Sequence, residues 1–139
     1  MIILDASVIL KWFFEESDRN IALNFLYNHV NGSNRVAASE LFYYEFANVL
    51  AMKTELSEKM IGRAINNIFS LELLTFKLEQ ANFAESIRLS RLYKISVYDA
   101  SYIVLAKSLN ADFVADDEKL AQKMKDMPFV QTLKSYSTK

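Results

Sequence analysis

Residues 1–13 read MIILDASVILKWF, and this stretch decides the fold. A short apolar run, Met1 to Leu4, stops at a single acid, Asp5, and helical spacing begins at once. A brief apolar run of this kind is a buried strand, and the helical stretch that follows is a crossover to a parallel neighbour. Working outward, the same alternation recurs four times. RVAA (35–38) precedes helical stretches over 39–55 and 57–70, and LELLTF (71–76) precedes 79–93 and 98–109. DFVA (112–115) precedes a helix over 117–125, and FVQTL (129–133) comes last; the first helical stretch is read as 7–31. The pattern predicts an α/β fold with a central parallel sheet of about five strands flanked by helices.

Composition agrees and narrows the field. The chain has 139 residues, 52% of them hydrophobic, which suits one domain over 1–139 with one core. Two glycines, one proline and no internal period exclude linkers, repeats and a turn-rich all-β design. There is no cysteine and one histidine, His29, so a disulfide framework and a thiolate zinc site are both excluded. No basic leader and no apolar stretch of about 20 residues is present, so the expectation is a cytoplasmic protein with no membrane contact. Net charge is −1, so no global basic field announces a polyanionic partner.

The chemistry lies in where the acids fall. In a parallel sheet, ligands bind beyond the carboxyl ends of the strands. Asp5 ends the first strand, Asp116 and Asp117 follow the DFVA strand, and Asp99 opens the helix over 98–109. Glu45 lies in LFYYEFANVLAM, where helical spacing sets it on the side of Leu41, Phe42, Val49 and Met52. An acid on a core-facing stripe needs a counter-ion or several donors, or it protonates. Asp99 shares a face with Tyr102, Ile103 and Ala106 and repeats that situation. Carboxylates gathered without His or Cys suit a hard, oxygen-seeking cation, Mg²⁺ or Mn²⁺. Such an ion activates water and offsets charge at a phosphate. A plainer role stands beside this one: Asp5, Ser7, Asp116 or Asp117 as helix caps, and Ser96 with Asp99 as a capping box. Glu45, in mid-helix, caps nothing.

Four segments together resemble the PIN-domain ribonucleases, and among them the VapC-like toxins of toxin–antitoxin pairs. They are MIILDASVILKWF, YYEFANVL (43–50), ISVYDASYIVLA (95–106) and ADFVADDEKLA (111–121), and they span nearly the whole chain. The resemblance implies a three-layer sandwich and divalent-metal-dependent cleavage of RNA. It implies catalytic, metal-ligating roles for Asp5, Glu45, Asp99 and Asp117, with Ser7 and Asp116 as auxiliary neighbours. An antitoxin protein and a homodimer are the implied partners. One departure is Ala115, where that motif often carries a hydroxyl residue. The alternative from another class is a PIN fold that binds RNA or protein without cleaving. Receiver-type and haloacid-type phosphoryl sites fit poorly, since Asp5 stands alone and Thr75 and Lys77 occupy the third strand's end.

Other side chains carry secondary expectations. Trp12, Phe13 and Phe14 point about 100° apart on a helix, so at least one is semi-exposed. Of Tyr43 and Tyr44, one belongs to the core. Lys11, Arg91, Lys94 and Lys107 lie near segments expected to border the acidic mouth, where they would touch phosphates, though solvated surface charge is the readier role; His29 is expected to complement a helix C-terminus.

Overall fold

The computed structural model describes residues 1–136; the last three residues of the expected domain lie outside the described residues. Five strands form one sheet: β1 (Ile2–Leu4), β2 (Val36–Ser39), β3 (Leu74–Phe76), β4 (Asp112–Ala115) and β5 (Val130–Thr132). Their order is β3-β2-β1-β4-β5, and every pairing is parallel. The first strand of the chain is therefore the middle of the sheet, with Ile2 opposite Val36 on one side and Asp112 on the other. All three residues of β1 are buried, as both faces of a parallel sheet are covered.

Between the strands run α1 (Ala6–Leu10), α2 (Arg19–Val30), α3 (Leu41–Met52), α4 (Glu58–Ser70), α5 (Gln80–Tyr93), α6 (Val97–Ser108) and α7 (Glu118–Lys123). A short α8 (Leu133–Tyr136) follows β5. Ser57 caps α4 by accepting from the Met60 N–H. The helix α6 packs on β1, β2 and β4, and Ala100 through Ala106 are all buried. From β1 the chain proceeds to β2 and β3 on one side, then to β4 and β5 on the other. The strand order thus reverses between β1 and β4, and the crevice beyond their carboxyl ends is the site such a sheet offers a ligand.

Three expectations need correction. The single helix over 7–31 is two helices, because the chain breaks over 11–18 and Asp18 takes a left-handed φ of 61°. Side chains stabilise the break: the Trp12 indole donates to the Ala22 carbonyl at 2.9 Å. Arg19 donates to the carbonyls of Lys11 and Trp12 at 3.0 and 3.2 Å, satisfying acceptors that the end of α1 leaves open. His29 makes no mere dipole contact; it is buried, its Nδ1 accepts from the Val36 N–H at 3.0 Å, and its Nε2 donates to the Leu71 carbonyl at 2.6 Å. The ring is thus held as the Nε2–H tautomer and ties α2 to β2 and to the turn before β3. Met52, placed with Glu45 on the core stripe, is 69% exposed; the buried line of α3 is Phe42, Phe46 and Leu50. Glu45 therefore sits at the edge of that line, partly buried.

The aromatic expectations hold. Trp12 is buried while Phe13 and Phe14 are half-buried, and Tyr43 stacks on Phe69 while Tyr44 is exposed.

Candidate active site

Asp5 leaves the carboxyl end of β1 and caps α1. Its Oδ2 accepts from the Ser7 hydroxyl at 2.5 Å and from the Ser7 N–H at 3.3 Å. Asp99 is in the first turn of α6, where the Ser96 hydroxyl donates to its Oδ2 at 2.7 Å and accepts from its N–H at 3.0 Å. The N-cap half of the expected capping box is thus formed, while the Asp99 carboxylate takes the Ser96 hydroxyl in place of the Ser96 backbone N–H. Glu45 extends from α3, and its Oε2 accepts from the Tyr102 hydroxyl at 2.6 Å. So the central strand, α3 and α6 each deliver one carboxylate, each steadied by a hydroxyl.

These three acids feel one another. Burial pushes the Asp5 carboxyl up, and Asp99 adds to it, against the hydrogen bonds from Ser7. Burial pushes Glu45 up to about 7; Tyr102 opposes this, and the charges of Asp5 and Asp99 reinforce it. Burial, with Glu45, Asp5 and Asp99 nearby, drives the Tyr102 hydroxyl far above its ordinary range. Tyr102 therefore remains a donor at any physiological pH. None of the ion pairs among the described residues involves Asp5, Glu45 or Asp99. Hydroxyl groups are neutral donors, so the negative charge of the crevice is not balanced by the chain itself.

Asp117 stands apart from that trio. It caps α7, its Oδ1 accepting from the Leu120 N–H at 2.9 Å. Asp116 has a different partner altogether: its Oδ2 pairs with Lys11 Nζ at 2.8 Å. Its backbone N–H donates to the Ser7 oxygen at 3.1 Å, so Ser7 joins the ends of β1 and β4. Lys11 is 2% exposed and is further held by the Ser17 carbonyl at 2.9 Å and by Glu16 at 3.4 Å. It is thus an internal counter-ion and no free phosphate contact. Lys107 lies in the last turn of α6, while Asp99 lies in the first, and its side chain is 61% exposed, the solvated surface charge that was its readier role. Arg91 lies in the last turn of α5 and Lys94 is its C-cap, shortly before α6.

The donor set suits a hard cation: it is made of carboxylates alone, and burial and neighbouring negative charge raise two of them, Asp5 and Glu45. Among the described residues, however, no three acidic or imidazole side chains converge into a finished ligand cage. Each carboxylate is instead held by a neighbouring hydroxyl or N–H. Sequence reasoning missed Tyr102 as the partner of Glu45 and Lys11 as the partner of Asp116. The first was within reach, since Tyr102 lies three residues beyond Asp99 on one helical face. The second was not, because the chain break after α1 is what brings Lys11 inward.

Beside the acids, Tyr44 and Tyr98 immediately precede Glu45 and Asp99 and are 77% and 62% exposed. With Leu41, Leu78, Phe83 and Val97 they line an open, largely apolar pocket of about 290 Å³. No described helix is long and apolar enough to cross a membrane.

Comparison with known proteins agrees with this architecture. No curated protein matches the chain. Among solved structures, PAE2754 from Pyrobaculum aerophilum superimposes with a TM-score of 0.72 at 18% identity, over 97% of this chain and 85% of that one. A toxin-antitoxin complex from Klebsiella pneumoniae contains a chain with a TM-score of 0.69 at 16% identity, over 96% of this chain and 98% of that one. At these identities the likeness is one of fold. The family model of the PIN domain matches residues 2–125, a span holding all five acids discussed above. With its all-parallel five-stranded sheet and helices on the flanks, the chain belongs to the PIN-domain family, whose members are generally nucleases that use divalent metal ions.

Proposed function

We propose that this protein is a metal-dependent endoribonuclease, the toxin of a VapBC-type toxin–antitoxin pair, acting in the cytoplasm as one PIN-like domain. The observation that carries the reading is the trio Asp5, Glu45 and Asp99, mutually repelling and matched by no basic side chain among the described residues. A site that concentrates charge it does not neutralise is built for an exogenous cation. Mg²⁺ or Mn²⁺ would be held by those three acids, with Asp117 at the rim. Bound there, the ion supplies activation of water and neutralisation of phosphate charge.

The chain's own groups do the remaining work. Ser7 holds Oδ2 of Asp5, Ser96 holds Oδ2 of Asp99 and Tyr102 holds Oε2 of Glu45, so the cluster is oriented before substrate arrives. The exposed rings of Tyr44 and Tyr98 offer stacking faces to unpaired bases. Cleavage by water leaves a 5′-phosphate and a 3′-hydroxyl. The fold likeness to a chain of a toxin-antitoxin complex supports an antitoxin partner. A homodimer follows from the same family pattern.

A second reading, a PIN fold that binds RNA or protein without cleaving it, draws on Asp117. Its carboxylate serves α7, and Ala115 offers no hydroxyl beside it. The two readings separate in one experiment. Titration with Mn²⁺ should raise the thermal midpoint of the wild type, by about 2.7 kcal/mol of stabilisation at 100 times the Kd. RNA incubated with the protein and Mn²⁺ should acquire 5′-phosphate ends. Cyclic phosphate ends, or cleavage undiminished in Asp5→Asn, would reject the metal-dependent route.

A further inference from the structure

We infer that Tyr102 is a positioning residue of the acidic site: its hydroxyl fixes the Glu45 carboxylate beside Asp5 and Asp99. The inference rests on the reading of those acids as the cation site. Glu45 reaches the crevice on a long side chain from the edge of α3, while Asp5 and Asp99 are anchored at the ends of their own elements. Two neighbouring negative charges repel it, and an unheld carboxylate there would swing toward water. The Tyr102 hydroxyl prevents that at 2.6 Å, as a charge-assisted hydrogen bond.

The hydroxyl is itself a fixed point. Tyr102 is 1% exposed, and its ring stacks on Phe113 of β4 with centroids 5.7 Å apart and planes 15° from parallel. A phenol has two side-chain torsions, and packing against the sheet holds both. Tyr102 and Asp99 are three residues apart on α6, so one rigid helix presents a ligand acid and the donor that steadies another. Phenylalanine would fill the same space without the cost of burying a hydroxyl. The oxygen is there for Glu45.

Tyr102→Phe tests this in the full-length protein, with Mn²⁺ alone as the probe and thermal shift as the first readout. Without metal, the midpoint of unfolding should stay within a few degrees of wild type. The Mn²⁺ concentration at half-maximal shift should rise about tenfold or more, as for other residues that orient a ligand. On RNA, kcat should fall by a similar factor with KM unchanged. In a Glu45→Gln background, Tyr102→Phe should change neither quantity further, because its effect passes through that carboxylate. Glu45→Asp, which keeps the charge but retracts it from the hydroxyl, should reproduce the Tyr102→Phe signature and serves if the latter folds poorly. A wild-type Mn²⁺ response and turnover in Tyr102→Phe or in Glu45→Asp would overturn the inference. So would an equal loss in the Glu45→Gln background, which marks a packing effect. If wild type gives no Mn²⁺ response and Glu45→Gln cleaves RNA at the wild-type rate, the cation site falls and this inference with it.

Discussion

Two acidic corners lie side by side at the carboxyl end of the sheet, and they are neutralised differently. In one, Asp116 meets Lys11, a nearly inaccessible ammonium that also reaches Glu16 and the Ser17 carbonyl. In the other, Asp5, Glu45 and Asp99 meet only neutral donors, the hydroxyls of Ser7, Tyr102 and Ser96 and backbone N–H groups. The first corner is closed: charge and hydrogen bonds are satisfied from within. The second is left electrostatically incomplete. Acids alone do not mark a functional site; acids whose balance is withheld do.

The largest effect should come from breaking the incomplete corner. Asp5→Asn and Asp99→Asn are expected to cut RNA cleavage on the order of 10²-fold or more, in the range for removing a group that stabilises the reacting charge. Both variants should stay folded by circular dichroism, because asparagine still accepts the cap hydrogen bonds. Loss below threefold in both would mean the trio is not the reaction centre.

Breaking the closed corner should cost stability first. Lys11→Met keeps the bulk but leaves Asp116 and the Ser17 carbonyl without their donor. The pair is half-open to water, since Asp116 is 32% exposed, so the expected loss is about 1–3 kcal/mol rather than that of a fully buried pair. Urea denaturation measures it; an unchanged midpoint would show that Lys11 is dispensable.

A smaller effect, of opposite sign, sharpens the contrast. The folded protein holds the Glu45 proton up to about 7, whereas the ordinary value is 4.5. The stabilising contribution of that group is therefore complete below 4.5 and is lost as pH rises through 7. Without metal, Glu45→Gln should be more stable than wild type at pH 8 by about 1–2 kcal/mol, after allowance for partial solvent screening. At pH 4 the difference should vanish. Mn²⁺ should erase the advantage at pH 8, since it stabilises only the wild-type carboxylate. A Glu45→Gln variant less stable than wild type at pH 8 would contradict the electrostatics. The smallest change should follow Asp116→Asn, whose Mn²⁺ response should match wild type. A lost response there would move Asp116 into the cation site.

Much of this was legible before any coordinates. Each of the five apolar runs became a strand, because short runs flanked by helical spacing have no other way to bury both faces. Glu45 announced itself by standing in mid-helix among apolar neighbours. What the residues concealed was tertiary. KWFFEESDR holds no glycine or proline to mark the break that separates α1 from α2, and its one signal is the pair Ser17 and Asp18, residue types that start helices. The break is held by Trp12 and Arg19 reaching across it, contacts that exist only once the two helices are placed. The fate of Lys11 depended on that break. Likewise the choice between Asp116 and Asp117 depended on which way each side chain turns after β4, which spacing cannot tell.

The sheet order has a temporal consequence. The first of the five strands to be made is the middle of the sheet, and one of its two partners, β4, is made more than a hundred residues later. Until then β1 keeps one edge open, a template for mispairing with another chain. Asp5 waits on the same strand, with Asp99 of α6 made shortly before β4. The closing of the β1 edge and the gathering of the acids are thus completed almost together. A nascent chain stopped before β4 would be sticky before its acidic crevice was complete.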